Sequence, residues 1–335
     1  MAAPIACSFN FSSISSPSQR LRSPLLLGSP TLLTNTRRNR RFAGVAMASF
    51  NQATTCQGVQ IVEGLGRLPK LLAKSSDGSE VEIYLFGGCI TSWKLEDGKD
   101  ILFVRPDSAF NGQKPISGGI PHCFPQFGPG QMQQHGFARN MTWSLTNSEN
   151  TEGNPLITLE IKDNPYSHSM WNYSFAAQYK IFLKPRSLST ELVITNTDKK
   201  AFSFNGALHT YFRAASTKVS VKGLKGCKTL NKDPDPVNPS EGFEERLARI
   251  EVVNFPGFVD CIYLDAPNEL LLENGLGDTI SIKNTGWSDA VLWNPYLQME
   301  AFYKDFVCVE NAKIGTVQLE PGQSWTAEQH INIIS

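Results

Sequence analysis

The sequence predicts an all-β protein, a large antiparallel β-sandwich in one domain over residues 48–335. Three observations predict it. From about Gln57 the chain is a succession of short apolar or alternating runs, each broken by Gly, Pro, Asn or Asp, the signature of strands joined by turns. Helical periodicity is almost absent; only Leu297–Lys304 invites a short helix. No repeat or linker divides this region, and sandwiches of this size fold as single domains.

Taken in order, Val81–Phe86 alternates as a strand, Gly87–Gly88 turns the chain, and Ile90–Lys94 resumes. Ile101–Val104 reads as a short apolar strand closed by Arg105–Pro106, because proline lacks the N–H that a strand needs. Further strands are expected at Met141–Thr146, Leu156–Ile161, Trp171–Leu183, Thr190–Thr195 and Phe202–Phe212. Lys218–Val221, Arg249–Val253, Cys261–Leu264, Leu270–Leu272 and Thr279–Lys283 follow, then Asp289–Trp293, Phe306–Glu310, Thr316–Leu319 and Ser324–Ile333. Lys232–Glu241, rich in proline and alternating charge, reads as a loop or insertion. Trp93, Trp143, Trp171, Trp287 and Trp325 are expected in the core, and Trp293 either there or beside a pocket.

Composition narrows the class of function. The 335 residues carry 31 basic and 31 acidic side chains, but no Asp or Glu precedes Glu63. Residues 1–47 hold Arg20, Arg22, Arg37, Arg38, Arg40 and Arg41, no lysine, and many serines. An Arg- and Ser-rich, acid-free start reads as a disordered transit peptide, here of plastid type with cleavage near Ala46 to Ala48. The expected location is therefore the chloroplast stroma. Without those six arginines 25 basic residues face 31 acidic ones, so no nucleic-acid partner is expected. No apolar run is long enough to span a bilayer. The seven cysteines form no Cys-x-x-Cys pair, which argues against a zinc site or a disulfide framework, and no metal or cofactor is expected. Cys89, Cys123 and Cys308 lie in apolar surroundings and read as core filler.

Chemistry concentrates in Ser117–Asn140, SGGIPHCFPQFGPGQMQQHGFARN. Gly and Pro at this density forbid a long helix and break up strands. Polar side chains alternate with apolar anchors, which suits a pocket wall, although a surface loop has the same composition. On Phe202–Arg213 a period of two puts Phe202, Phe204, Leu208 and Phe212 on one face. Asn205, His209, Tyr211 and Arg213 fall on the other, a polar and wet face. Phe306–Glu310 is an apolar strand that ends in a carboxylate, and Asp260 opens Cys261–Leu264.

Together, GGIPHCFPQFGPGQMQQHGFARN, LHTYF around His209, VDCIY around Asp260, LWNPY around Trp293 and VCVENA around Glu310 resemble the hexose-6-phosphate mutarotases. These are glucose-6-phosphate 1-epimerases of the aldose 1-epimerase superfamily, and the likeness covers residues 57–335. It implies a galactose mutarotase-like supersandwich that binds a sugar phosphate on its concave face, acts as a monomer and needs no cofactor. It also implies roles: Glu310 as base at the sugar O1, His209 as acid at the ring oxygen O5, and Asp260 as acceptor from sugar hydroxyls. Gln134 and His135 would line the pocket, and Arg139 would face the 6-phosphate. The chain departs from the family pattern at Ser117, where an arginine usually precedes Gly-Gly as a phosphate ligand, and at Cys261, where an arginine commonly follows the aspartate. Lys114 is the candidate to supply the missing charge. Two alternatives stand beside this reading: an epimerase for another aldose or sugar phosphate, and a non-catalytic carbohydrate-binding or scaffold subunit of a plastid complex.

Overall fold

The computed structural model describes residues 54–56, 58–231 and 244–334. The arginine-rich segment 1–47 and the stretch Lys232–Glu241 lie outside the described residues. Within them, antiparallel strands form three sheets of five, nine and eight strands, so the protein is all-β.

The five-stranded sheet runs in sequence order from Thr54–Cys56 to Cys89–Lys94. In the nine-stranded sheet Ser324–Ile333, Ser187–Asn196 and Phe175–Lys184 lie side by side, and their residues alternate between buried and part-exposed. The eight-stranded sheet carries Asp260 and Glu310, with His209 between two of its segments. Its middle strands are Val259–Leu264, Asp289–Asn294, Phe306–Leu319 and Phe202–Leu208, in that spatial order. The inward faces of all three sheets share one apolar core. Ile83 and Trp93 come from the first sheet, Tyr179, Ile194 and Ile331 from the second, and Phe212, Leu292, Val307 and Val309 from the third.

Several elements differ from the sequence expectation. Ile101–Val104 is not a strand: it is tied down through isolated bridges, Leu102 to Phe212 and Val104 to Gly118. Phe306–Glu310 and Thr316–Leu319 are one strand, Phe306–Leu319, so Glu310 lies within a ladder rather than at its end. Phe202–Phe212 divides into Phe202–Leu208 and Tyr211–Arg213, with a register shift between Phe204 and Gly206. Leu297–Lys304 forms parts of two short 3-10 turns, Tyr296–Met299 and Tyr303–Asp305; Phe302 between them, at φ −148, leaves the helical region and breaks the run. Trp93, Trp143 and Trp287 are buried, and Trp171 and Trp325 pack against the core.

Candidate active site

Strand register builds the site. Leu208 pairs with Asn311, and Tyr211 with Cys308. The positions between them, His209 and Glu310, therefore face each other across neighbouring strands. Side chains alternate along each strand. Val307 and Val309 enter the core, while Phe306 and Cys308 pack on the opposite face with Tyr211 and Trp293. Glu310 shares that second face. Its Oε1 lies 3.4 Å from His209 Nε2. Asp260 pairs with Trp293, and Trp293 with Cys308, which brings Asp260 onto the same face two strands away.

The Ser117–Asn140 segment closes over this face. His122–Cys123 adds a two-residue strand beside Ala207 and Leu208, and the His209 and Asn205 N–H groups donate to the Pro121 and Pro125 carbonyls at 3.0 and 3.1 Å. Phe124 and Phe137 are buried, so the two ends of the segment form a wall of the protein, while Pro129–Gln131, Gln133 and Gln134 between them are exposed. Gly136 has φ 69, and a Cβ there would meet the Phe124 carbonyl oxygen at 2.2 Å; only glycine allows this closure. His135, next to it, holds φ 65, a strained value of the kind that clusters at binding sites. Its Nδ1 accepts from the Gly128 N–H at 3.1 Å. A neutral ring held in this way carries its hydrogen on Nε2, 3.4 Å from the Gln134 side-chain amide.

The result is a cleft of about 320 Å³ lined by Arg105, Ser117, Phe127, Gln134, His135, Arg139, His209, Tyr211, Asp260, Trp293, Met299 and Glu310, with Pro115 and Val291. A volume of roughly 300–1,000 Å³ is usual for small-molecule clefts, and this one is at the small end, the scale of one monosaccharide. All seven residues singled out from the sequence line it. His209 and Glu310 are 8% and 2% exposed, so the face expected to be wet is enclosed. The imidazole stacks on Tyr211 with centroids 4.7 Å apart and meets the edges of Trp293 and His135 at 5.7 and 5.6 Å. Burial pushes the Tyr211 hydroxyl well above its usual pKa, opposed by Arg105 and Arg139. The same cause pushes the Cys308 thiol up. Both groups are neutral at physiological pH.

Two expectations about the phosphate end change. Lys114 is exposed and does not line the cleft. Arg105, read from the sequence only as a strand terminator, does. Position 261 faces away: Cys261 and Tyr263 join the sandwich core while Ile262 packs on the cleft side. The cysteine there takes nothing from the cleft, and burial pushes its pKa to about 11. A hairpin reading of Ile101–Val104 against Gly118–Ile120 is the signal that could have found Arg105.

This architecture and cleft define a mutarotase-like β-sandwich, and comparison with known proteins agrees. The aldose 1-epimerase family profile matches residues 69–332, and the chain belongs to the aldose 1-epimerase family. A Cenchrus ciliaris protein named "Putative glucose-6-phosphate 1-epimerase" is 33% identical over 286 residues, 79% of this chain and 85% of that one. An Escherichia coli (strain K12) protein of the same name is 27% identical over 249 residues, 70% of this chain and 80% of that one. Among solved structures, a galactose mutarotase related enzyme from Lactobacillus acidophilus superposes with a TM-score of 0.64 at 16% identity, covering 79% of this chain and 97% of that one; this likeness concerns the fold alone. Among the described residues no helix is long and apolar enough to cross a membrane.

Proposed function

We propose that the protein interconverts the α and β anomers of a hexose 6-phosphate, with glucose 6-phosphate as the preferred substrate. The observation that carries this is the His209–Glu310 pair, 3.4 Å apart inside a monosaccharide-sized cleft that also holds two guanidinium groups. The Glu310 carboxylate takes the proton from the C1 hydroxyl as the C1–O5 bond breaks. Protonated His209 delivers a proton to O5, leaving an open-chain aldehyde. The C1–C2 bond rotates. On closure O5 attacks the other face of C1, its proton returns to His209, and Glu310 returns the first proton to O1. Asp260 accepts from sugar hydroxyls, His135 donates through Nε2, Trp293 offers a flat apolar surface to the ring, and Gln134 and Ser117 complete the wall. Arg139 meets the phosphoryl group.

The names of the relatives support the phosphorylated substrate, as does the retained Arg139. The test is a panel of fresh α-anomers, namely glucose 6-phosphate, glucose and galactose, followed at low temperature where spontaneous opening is slow. Acceleration greatest for glucose 6-phosphate is expected. Faster turnover of an unphosphorylated sugar contradicts the substrate; a rate equal to buffer for all three contradicts the epimerase reading and favours a binding or scaffold role.

A further inference from the structure

Arg105 and Ser117 are strapped together. The Arg105 N–H donates to the Ser117 carbonyl at 2.9 Å, and the Ser117 N–H donates to Ser108 Oγ at 2.9 Å. Gly118, at φ 133, lies so close that a Cβ would sit 2.3 Å from Val104 Cα. A guanidinium at position 105 therefore rises from the backbone immediately beside position 117.

That guanidinium is fixed. Nε and Nη2 donate to the two Asp107 carboxylate oxygens at 2.9 and 2.6 Å, and Cζ lies 5.4 Å over the Phe302 ring. The Arg105 side chain is only 19% exposed while that of Asp107 is 51% exposed, so water screens the carboxylate more than the cation. Arginine has five N–H donors. Asp107 takes two along one edge, and the other edge, formed by Nη1 and the second hydrogen of Nη2, makes no hydrogen bond to the described residues. Arg139 lines the same cleft. Its Nη2 is held by the Gln134 carbonyl at 2.6 Å, and its Nε is buried without a hydrogen-bond partner.

We propose that Arg105 is the second guanidinium of the anion subsite, sharing the substrate's phosphoryl group with Arg139 and setting the preference for phosphorylated over free sugar. Asp107 is its positioning residue. The inference rests on the hexose 6-phosphate reading and deepens it: the charge that Ser117 does not bring comes from the segment bridged to it through Val104 and Gly118. A planar guanidinium presents two parallel donors to a phosphoryl group, which the exposed Lys114 ammonium does not.

The test compares kcat/KM for α-glucose 6-phosphate with that for α-glucose in the wild-type chain and in Arg105→Met, Arg105→Lys, Asp107→Asn and Lys114→Met. In Arg105→Met the preference for the phosphate ester falls roughly 10- to 100-fold, mainly through KM, as for loss of a charge-assisted contact. Arg105→Lys loses less, and it decides the matter alone if the methionine variant does not fold. Asp107→Asn raises KM for the phosphate ester with kcat held. Lys114→Met leaves the preference where it was. If the wild type prefers the phosphate ester and neither Arg105 variant reduces that preference, Arg105 is excluded and the hexose 6-phosphate reading stands. If the wild type shows no preference, both fall. A KM unmoved in Asp107→Asn removes the positioning role.

Discussion

At the scale of single residues, burial decides what each polar group can do. His122 is 1% exposed, stacked on Trp143 at 4.7 Å with Tyr179 at its edge. It lies in the functional segment yet does not line the cleft. Burial pulls its pKa from 6.5 down to about 4. A depressed histidine pKa means that the unfolded chain takes up the proton first. Its contribution to stability is thus complete above pH 6.5 and disappears as pH falls toward 4. The His122→Phe variant keeps a ring and has nothing to protonate. Its melting temperature is expected to fall less than that of the wild type between pH 6.5 and 4. Parallel curves across that window contradict the assignment. Sequence alone gives His122 no role, since nothing local distinguishes a packed imidazole from one that meets a ligand. His209 was legible as a candidate from its neighbours on the strand. Its enclosure was not, because the rings that enclose it, His135 and Trp293, come from distant segments.

At the scale of elements, the site depends on the spacing of two strands. Gln329 projects from Ser324–Ile333 in the opposite sheet and crosses the core. Its Nε2 lies 3.0 Å from Thr210 Oγ1 and 2.7 Å from Asn311 Oδ1, the residues next to His209 and Glu310. The clip sits on the core face directly behind the pair. Gln329→Leu leaves two buried polar groups without this donor, which costs about 1–3 kcal/mol. Chemical denaturation should report that loss, and kcat should fall more than KM changes because the 3.4 Å His209–Glu310 spacing is no longer held. Unchanged stability and unchanged kcat together refute the clip. Alternating faces are legible in sequence, as on Phe202–Arg213, whose Phe202, Phe204, Leu208 and Phe212 all join the core, whereas Phe306–Glu310 runs on to Leu319 instead of ending at its carboxylate. The register Leu208 to Asn311 and Tyr211 to Cys308 joins positions a hundred residues apart, and no local pattern specifies it. The bridge of Val104 to Gly118 escaped for the same reason, and Arg105 with it.

At the scale of the whole molecule, the all-β class followed from strand-length runs and turn residues, because a sheet that buries one face must alternate. The division into three sheets did not, since it depends on long-range pairing. We propose that residues 1–47 direct import into the chloroplast stroma, and that the mature chain is a monomer. Fused to a fluorescent reporter, those 47 residues should carry it into plastids and be removed there. A cytosolic reporter rules out the first proposal, and an elution volume matching a dimer or a large complex rules out the second. The proposed activity requires His209 and Glu310 to act on one sugar ring. The most direct measurement is the rate of α to β conversion of glucose 6-phosphate at low temperature with wild type, His209→Ala and Glu310→Gln, each shown to be folded. The prediction is a clear acceleration by wild type and a fall of about 10²- to 10⁴-fold in kcat for each variant, with KM little changed. Wild-type activity retained in full by either folded variant contradicts the account.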